Sequence, residues 1–128
     1  MESNKILLDT HILLWWLSNP TKIKKTARNL ISDANSDIFL SSASIWELSI
    51  KASRGKFSMP GNLLEQLISE RIEVLPINGT HALRSGTLPM VHYDPFDRIM
   101  ISQAICEDMF FVSRDRAING YDIKLIEG

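Results

Sequence analysis

The sequence has few of the features that characterise disulfide-rich, zinc-binding or membrane-spanning proteins. Cys106 is the only cysteine among 128 residues, so no disulfide can form within the chain. No cysteines and histidines are grouped with the spacing of a zinc site. The apolar stretch over residues 6–17 is interrupted at residues 9–11 and is shorter than the ~20 residues that a membrane-spanning helix needs. Residues 1–5 lack the basic start of a signal peptide, and we therefore expect a cytoplasmic protein with no membrane contact.

The chain also lacks an excess of either charge. Its 14 lysines and arginines stand against 15 aspartates and glutamates, a formal net charge of −1. This balance gives no general attraction to nucleic acid or to an anionic membrane, so any nucleic-acid binding has to be local. The apolar share of 45% and the charged share of 23% exclude a disordered or collagen-like chain. The length fits one domain over residues 1–128 with a core of its own.

Short apolar runs alternate with stretches of helical periodicity along the chain. The first run, residues 5–8, is apolar without alternation, as in a strand buried on both faces of a parallel sheet. The pattern predicts an α/β fold, a single three-layer α/β/α domain with a mostly parallel central sheet between helices. The predicted strands cover residues 5–8, 37–41, 72–75, 110–112 and 123–126, and the predicted helices cover residues 12–17, 22–34, 44–53, 63–71, 80–86 and 96–109.

Four acidic residues lie beside the ends of predicted strands or the starts of helices. Asp9 directly follows the first strand, Glu47 lies one turn into the helix after the second, and Asp115 follows the fourth. Asp97 lies in the first turn of the helix that begins near residue 95. Ligands of open parallel sheets bind at the carboxyl edge of the strands. Connectivity brings three of these acids to that edge, and Asp97 joins them if its helix also starts there.

Each of these acids can also be explained as a helix cap or, for Asp115, as the cap of a turn around Ala117. Asp9 can cap the helix that follows it, and Ser44 with Glu47 fits a capping box. Asp94 before a proline is a typical helix start, and Asp97 is favoured by the helix dipole. Capping explains each acid taken alone more readily than four acids converging at one edge.

A cluster of four carboxylates needs protons or cations to neutralise its mutual repulsion. Oxygen ligands prefer hard cations, so the expected partner is Mg²⁺ or Mn²⁺. Such a site suits hydrolysis of phosphodiester bonds, because the metal acidifies a water molecule and no nucleophile from the protein is required. Cys106 lies within a predicted helix, where we expect a buried apolar role rather than catalysis.

The motifs around these acids resemble those of PIN-domain proteins, in particular the VapC-type toxins of bacterial toxin–antitoxin pairs. The resemblance extends over nearly the whole chain, and the string HYDPFDR at residues 92–98 is its most specific part. The other matching blocks, in chain order, are LDTH at 8–11, LLW at 13–15, SIWELSIK at 44–51, LP at 88–89 and SRD at 113–115.

The resemblance implies an endoribonuclease toxin that uses Mg²⁺ or Mn²⁺ and leaves 5′-phosphate and 3′-hydroxyl ends. It also implies a homodimer and a cognate antitoxin as partners. Ser113 stands where relatives often have a hydroxyl that supports the metal site, and Asp94 is an auxiliary acid in the same string as Asp97. The family's four catalytic, metal-binding acids correspond to Asp9, Glu47, Asp97 and Asp115.

Two other functions remain open. A PIN-like domain could process RNA by the same chemistry without an antitoxin. A phosphate-responsive signalling or binding module of the receiver type has a similar length, but it needs paired acids after the first strand, where Asp9 stands alone. A haloacid-dehalogenase-type phosphatase is disfavoured, because its motif requires a second aspartate after Asp9.

Basic and aromatic residues near the acids are candidates for contacts with RNA or with a partner protein. We expect Lys51, Arg54 and Lys56, just beyond Glu47, to bind the RNA backbone. A second basic group over residues 22–28 is at least as well explained as a solvated helix face.

The segment over residues 12–17 is apolar around its whole circumference. Either neighbouring helices cover it, or Trp15 or Trp16 lines a groove for a partner helix. Trp46 is expected in the core rather than as a platform for substrate stacking. His92 is expected to contact phosphate or to order the loop before Pro95.

Overall fold

The centre of the molecule is a sheet of five parallel strands in the order β3-β2-β1-β4-β5. The computed structural model describes residues 4–90 and 94–128. All five strands lie within one residue of their predicted bounds, which confirms the predicted parallel sheet. They are β1 (Asn4–Leu8), β2 (Ser36–Ser41), β3 (Ile72–Leu75), β4 (Phe110–Ser113) and β5 (Lys124–Glu127).

Helices connect the strands, as the alternating pattern predicts. The α-helices of the described segments are α1 (Thr10–Ser18), α2 (Lys25–Ser32), α3 (Ser42–Ser53), α4 (Leu63–Ser69), α5 (Gly79–Thr87) and α6 (Pro95–Cys106). Short 3-10 turns cover Pro20–Lys22 and Arg116–Gly120. Within the described parts of the chain, none of these helices is both long and apolar enough to cross a membrane.

Two apolar clusters lie on opposite faces of the sheet, because successive side chains of a strand point to opposite sides. Ile6 and Leu8 pack into one cluster with residues of α1, α2 and α4. Leu7 and Phe111 pack into the other cluster with residues of α3 and α6. Ile6, Leu7 and Leu8 are all fully buried. The predicted three-layer arrangement is therefore confirmed.

Several local predictions are wrong. The helix predicted over residues 22–34 is shorter, because Pro20 starts a 3-10 turn first and α2 begins only at Lys25. Ser41 caps α3 by accepting a bond from the Ala43 amide at 3.0 Å, so the capping box expected from Ser44 is absent. Cys106 is exposed rather than buried, because it is the last residue of α6.

His81 and Asn78 form the capping box that is present, at the start of α5. The Asn78 amide donates to His81 Nδ1 at 3.2 Å, while Asn78 Oδ1 accepts from the His81 amide at 2.9 Å. His81 Nε2 lies 2.9 Å from Glu107 Oε1, just beyond the end of α6. This buried imidazole therefore ties the start of α5 to α6.

Arg98 ties the other end of α5 to α6. Its buried guanidinium donates to the carbonyl oxygens of Ser85 at 2.8 Å, Leu88 at 3.0 Å and Pro89 at 2.9 Å. The same group lies 3.3 Å from the Tyr121 hydroxyl. The fork geometry of arginine matches several carbonyls at once, which a lysine ammonium cannot do in the same arrangement. Arg98 thereby fixes the chain just before the segment that leads into α6.

Replacement of Arg98 by Met should lower the free energy of unfolding by about 3 kcal/mol, because several buried carbonyl oxygens lose a charged donor. Urea unfolding of Arg98→Met, Arg98→Lys and the wild type would measure this, with the lysine variant expected between the other two. Arg84→Met, at an exposed position of α5, is the matched control. Equal unfolding free energies for Arg98→Met and Arg84→Met would contradict this account of the guanidinium.

Candidate active site at the carboxyl edge of the sheet

Asp9 lies where the central strand β1 passes into α1, and its carboxylate is almost fully buried. The exposed fraction of the residue is 7%. Its amide donates to the Val112 carbonyl at 3.0 Å, which extends the pairing of β1 with β4 by one step. The residue also caps α1, since its Oδ1 accepts from the Thr10 amide at 2.7 Å. Asp9 therefore both caps α1 and lies at the carboxyl edge of the sheet.

Ser113 links Asp9 to Asp115 across two neighbouring strands. Its hydroxyl donates to Asp9 Oδ2 at 2.7 Å and lies 3.0 Å from the Asp115 amide, from which it accepts. Ser113 is buried, so this geometry is shielded from competing water. The hydroxyl thereby orients the Asp9 carboxylate and fixes the backbone from which Asp115 projects.

Burial raises the pKa of Asp9, because desolvation penalises the charged form more than its hydrogen bonds to Ser113 and Thr10 favour it. The nearby His11 acts in the same direction as those hydrogen bonds, whereas the charge of Glu47 raises the pKa further. A bound cation would therefore stabilise the ionised form of this carboxylate, which is buried and has an acidic neighbour.

Glu47 projects from α3, one and a half turns after the Ser41 cap. It is half-buried, and its Oε2 lies 3.6 Å from Lys51 Nζ, one helical turn further on. An ion pair with one exposed partner is weak in water. Lys51 can therefore leave Glu47 at little cost when another cation or a phosphate is present.

Two further acids lie at the start of α6, in the string that the sequence singles out. Asp94 caps this helix by accepting from the Phe96 amide at 2.9 Å, as predicted. Asp97 lies in the first turn and is half-buried. His92, which belongs to the same string, lies outside the described residues.

One cavity of about 360 Å³ collects all of these acids. Asp97, whose position the connectivity left open, lies on its wall with the others. The lining carries five carboxylates and two permanently charged basic groups. The lining residues are Asp9, Thr10, His11, Trp15, Glu47, Lys51, Asp94, Asp97, Arg114 and Asp115.

The donor chemistry of this cavity fits a hard divalent cation. Its acidic ligands offer oxygen alone, which Mg²⁺ and Mn²⁺ prefer, and the burial of Asp9 makes an uncompensated negative charge costly. Among residues 4–90 and 94–128, no three acidic, histidine or cysteine side chains yet stand close enough together to hold an ion. The carboxylates thus share a cavity, and their side chains would have to move closer together to coordinate one ion.

Arg114 and Trp15 form one wall that the sequence did not indicate. The guanidinium carbon of Arg114 lies 4.6 Å from the centroid of the Trp15 ring. Arg114 also donates to the carbonyl of Gly128 at 2.9 Å and to the carbonyl of Lys22. A cation held over an aromatic face and by two carbonyls is fixed in place. Only the proximity of Arg114 to Asp115 in the string SRD could have suggested its position.

Thr10 and Ser44 are two further contributors that the sequence did not indicate. Their buried hydroxyls lie 2.7 Å apart, and the Ser44 hydroxyl lies 3.4 Å from the sulfur of Met100 on α6. These contacts join the starts of α1 and α3 to α6, the three helices that carry Asp9, Glu47 and Asp97.

The predicted RNA-binding residues divide into two groups. Lys51 lines the acidic cavity, and together with Arg54 it also lines a neighbouring depression. Lys56 is exposed beyond the end of α3 and lines neither. Trp46 is 61% exposed, so its predicted place in the core is wrong. Trp46 lies on the outer side of α3, because the inner side is occupied by Ala43, Ser44 and Leu48.

Comparison with known proteins yields one family and several similar structures. Residues 6–124 match the PIN domain family. Ribonuclease VapC22 of Mycobacterium tuberculosis is 25% identical over 119 residues, 91% of each chain. Two crystal structures share the fold. VapBC2 from Rickettsia felis, bound to a DNA fragment from its promoter, has a TM-score of 0.72 and 17% identity over 96% of this chain and 98% of that one. DNA-bound VapBC from Salmonella typhimurium has a TM-score of 0.71 and 19% identity over 97% and 98%.

Replacement of Asp9 by Asn should raise the melting temperature at neutral pH in the presence of a chelator. Burial raises the pKa of Asp9, so the ionised carboxylate costs stability above its folded pKa, and this cost disappears as the pH falls below the usual value of 3.8. The melting temperature of the variant should therefore exceed that of the wild type at neutral pH and converge with it in acid. Asp122→Asn, at an exposed position, is the control and should show no such divergence. A wild type that is the more stable at neutral pH would contradict the argument.

Proposed function

This chain belongs to the PIN domain family, and from that premise we propose that it is a metal-dependent endoribonuclease of the cytoplasm. In this proposal it hydrolyses RNA phosphodiester bonds and acts as the toxin of a toxin–antitoxin pair. The similarity to a protein named ribonuclease VapC22 over 91% of both chains supports the activity. The observation that carries the proposal is the cavity at the carboxyl edge, with Asp9, Glu47, Asp97 and Asp115 on its walls.

Those four acids are the residues that would hold Mg²⁺ or Mn²⁺, with Asp94 as an auxiliary acid. When bound, such an ion neutralises charge on the phosphate and lowers the pKa of a water molecule for attack on phosphorus. No serine, cysteine or histidine nucleophile is needed in this chemistry. Cys106, at the far end of α6, takes no part in it.

The protein's own residues prepare the site before RNA binds. Ser113 holds one oxygen of Asp9 and the Thr10 amide holds the other, so this carboxylate is oriented in advance. An oriented carboxylate loses little conformational entropy on ion binding, which favours a fixed position of the reacting phosphate. Asp97 approaches from α6, which lies on the same face of the sheet as α3 and which Arg98 anchors to α5.

Basic residues beside the cavity would bind the RNA backbone. Lys51 lies one turn beyond Glu47 on α3, Arg54 caps the end of that helix one turn further on, and both line the depression next to the acids. Release of Lys51 from its weak contact with Glu47 would make its ammonium available to a phosphate. Lys56 lies further along the same path and contributes to long-range attraction.

The antitoxin belongs to a different surface in this proposal. A cavity of about 690 Å³ lies at the opposite edge of the sheet, with Trp16 on its wall. Trp16 Nε1 donates to Glu70 Oε2 at 3.2 Å, and Leu64 and Ile68 on the adjacent α4 are 58% and 77% exposed. Exposed apolar side chains beside acidic ones suit an amphipathic helix with basic flanks. A homodimer is part of the same proposal, as the resemblance implies.

The nuclease proposal is tested by RNA cleavage with purified protein. A mixed pool of transfer, ribosomal and messenger RNA should be cut in Mg²⁺ or Mn²⁺, and the cuts should carry 5′-phosphate ends. The cleavage rate of Asp97→Asn should be at least about 100-fold lower, because one of the proposed metal ligands is removed. Chelator should abolish cleavage by the wild type. Asp122→Asn is the matched control, and equal rates for Asp97→Asn and the wild type would refute the site.

The toxin proposal is tested in growing bacteria. Expression of the wild type should arrest growth, expression of Asp97→Asn should not, and the antitoxin encoded with the protein should restore growth. A Leu64→Asp/Ile68→Asp variant should still cleave RNA but escape the antitoxin, since a charged surface cannot bury the apolar face of a helix. Leu83→Asp, on the exposed side of α5, is the control. Cleavage without growth arrest would favour an RNA-processing enzyme instead.

A further inference from the structure

Trp46 is a large apolar side chain exposed to solvent directly beside a proposed catalytic acid. The indole precedes Glu47 on α3 and is 61% exposed, whereas Leu48 on the same helix is buried. Its ring contacts that of Phe96 on α6 edge to face, with the ring centroids 5.2 Å apart. Such an aromatic pair is fixed between two helices and still offers most of one ring to a ligand.

A depression of about 480 Å³ has Phe96 of this pair in its lining, and Trp46 adjoins it through its ring contact with Phe96. Its apolar wall consists of Ile50, Pro95 and Phe96, and its basic side chains are Lys51 and Arg54. The volume is within the ~300–1,000 Å³ range of small-molecule sites. An aromatic ring in the wall together with two cations is a combination that proteins use to bind single strands of nucleic acid.

The depression is continuous with the acidic cavity. Glu47, Lys51 and Asp94 line both, so the two spaces share a wall. A chain whose phosphate lies among the acids would therefore continue into the depression, past Phe96 and towards Trp46. This continuity points to the substrate of the acids as the occupant.

We propose that the depression belongs to a nucleotide subsite, in which an unpaired base next to the scissile phosphate stacks on the exposed ring of Trp46, which Phe96 holds in place through its edge-to-face contact. The proposal rests on the nuclease function proposed above and adds to it a position that holds one unpaired base. Bases within a duplex present only their edges, so they cannot stack on Trp46. Arg54 and Lys51 bind the phosphate that follows this base.

The test measures RNA binding without cleavage. The probe is a short, fluorescein-labelled 2′-O-methyl oligoribonucleotide of mixed sequence, compared with an abasic strand of equal length and with the duplex, all in chelator. Fluorescence anisotropy gives the Kd for the wild type, Trp46→Ala, Trp46→Phe and the control Leu83→Ala, which removes an exposed apolar side chain from α5.

Trp46→Ala should bind the base-containing strand about tenfold more weakly than the wild type, since stacking of one base is lost. Trp46→Phe should retain most of the affinity, and Leu83→Ala all of it. The abasic strand should bind the wild type and Trp46→Ala equally, and the duplex should show no dependence on Trp46. If Trp46→Ala fails to fold, quenching of the indole by the oligonucleotide, taken as the difference between wild type and Trp46→Phe, gives the same answer.

Two results would overturn the subsite. One is equal affinity of wild type and Trp46→Ala for the base-containing strand. The other is equal weakening for both strands together with a change of oligomeric state in sedimentation, which would make the patch a protein interface. Metal-dependent cleavage is measured on the same samples. Cleavage without dependence on Trp46 refutes the subsite alone, and base-dependent binding without cleavage refutes the nuclease alone.

Discussion

The carboxylate of Asp9, held out of water at the end of the central strand, is the feature on which the rest of the site depends. Its position follows from β1, which is buried on both faces and paired on both edges. Two hydrogen bonds, from the Thr10 amide and the Ser113 hydroxyl, hold it there against the cost of desolvation. An ionised carboxylate in such surroundings attracts cations strongly, and the neighbouring acids on other elements increase that attraction.

The same arrangement explains why the acids come from separate elements of the fold. Glu47 is supplied by a helix after β2, and Asp97 by a helix whose start is fixed through the α5–α6 contact of Arg98. Acids that are distant in sequence can be brought together only when the fold forms, so the repulsion between them is balanced by packing energy from both apolar clusters. A bound ion would reduce this repulsion and thereby stabilise the folded protein.

Apolar runs and connectivity predicted the strands, the layers and the edge at which Asp9 lies, because burial and strand direction are coded locally. The place of Asp97 depended on where α6 begins, which connectivity alone did not decide. Ser41 and Ser44 are equivalent caps by composition, and only the end of β2 selects the first. The exposure of Trp46 and the carbonyl partners of Arg98 depend on contacts between distant segments, which no local pattern records.

The alternation of side chains between the two faces of β1 limits where the chain can tolerate insertions and deletions. Ile6 and Leu8 belong to one apolar cluster, Leu7 to the other, and Asp9 continues the same phase into the site. Insertion or deletion of one residue in this strand would exchange the side chains of the two clusters and turn the carboxylate away from Ser113 in a single event. We therefore expect length changes in the connections, such as the one between α3 and α4, where a side chain added at Gly61 would meet open space.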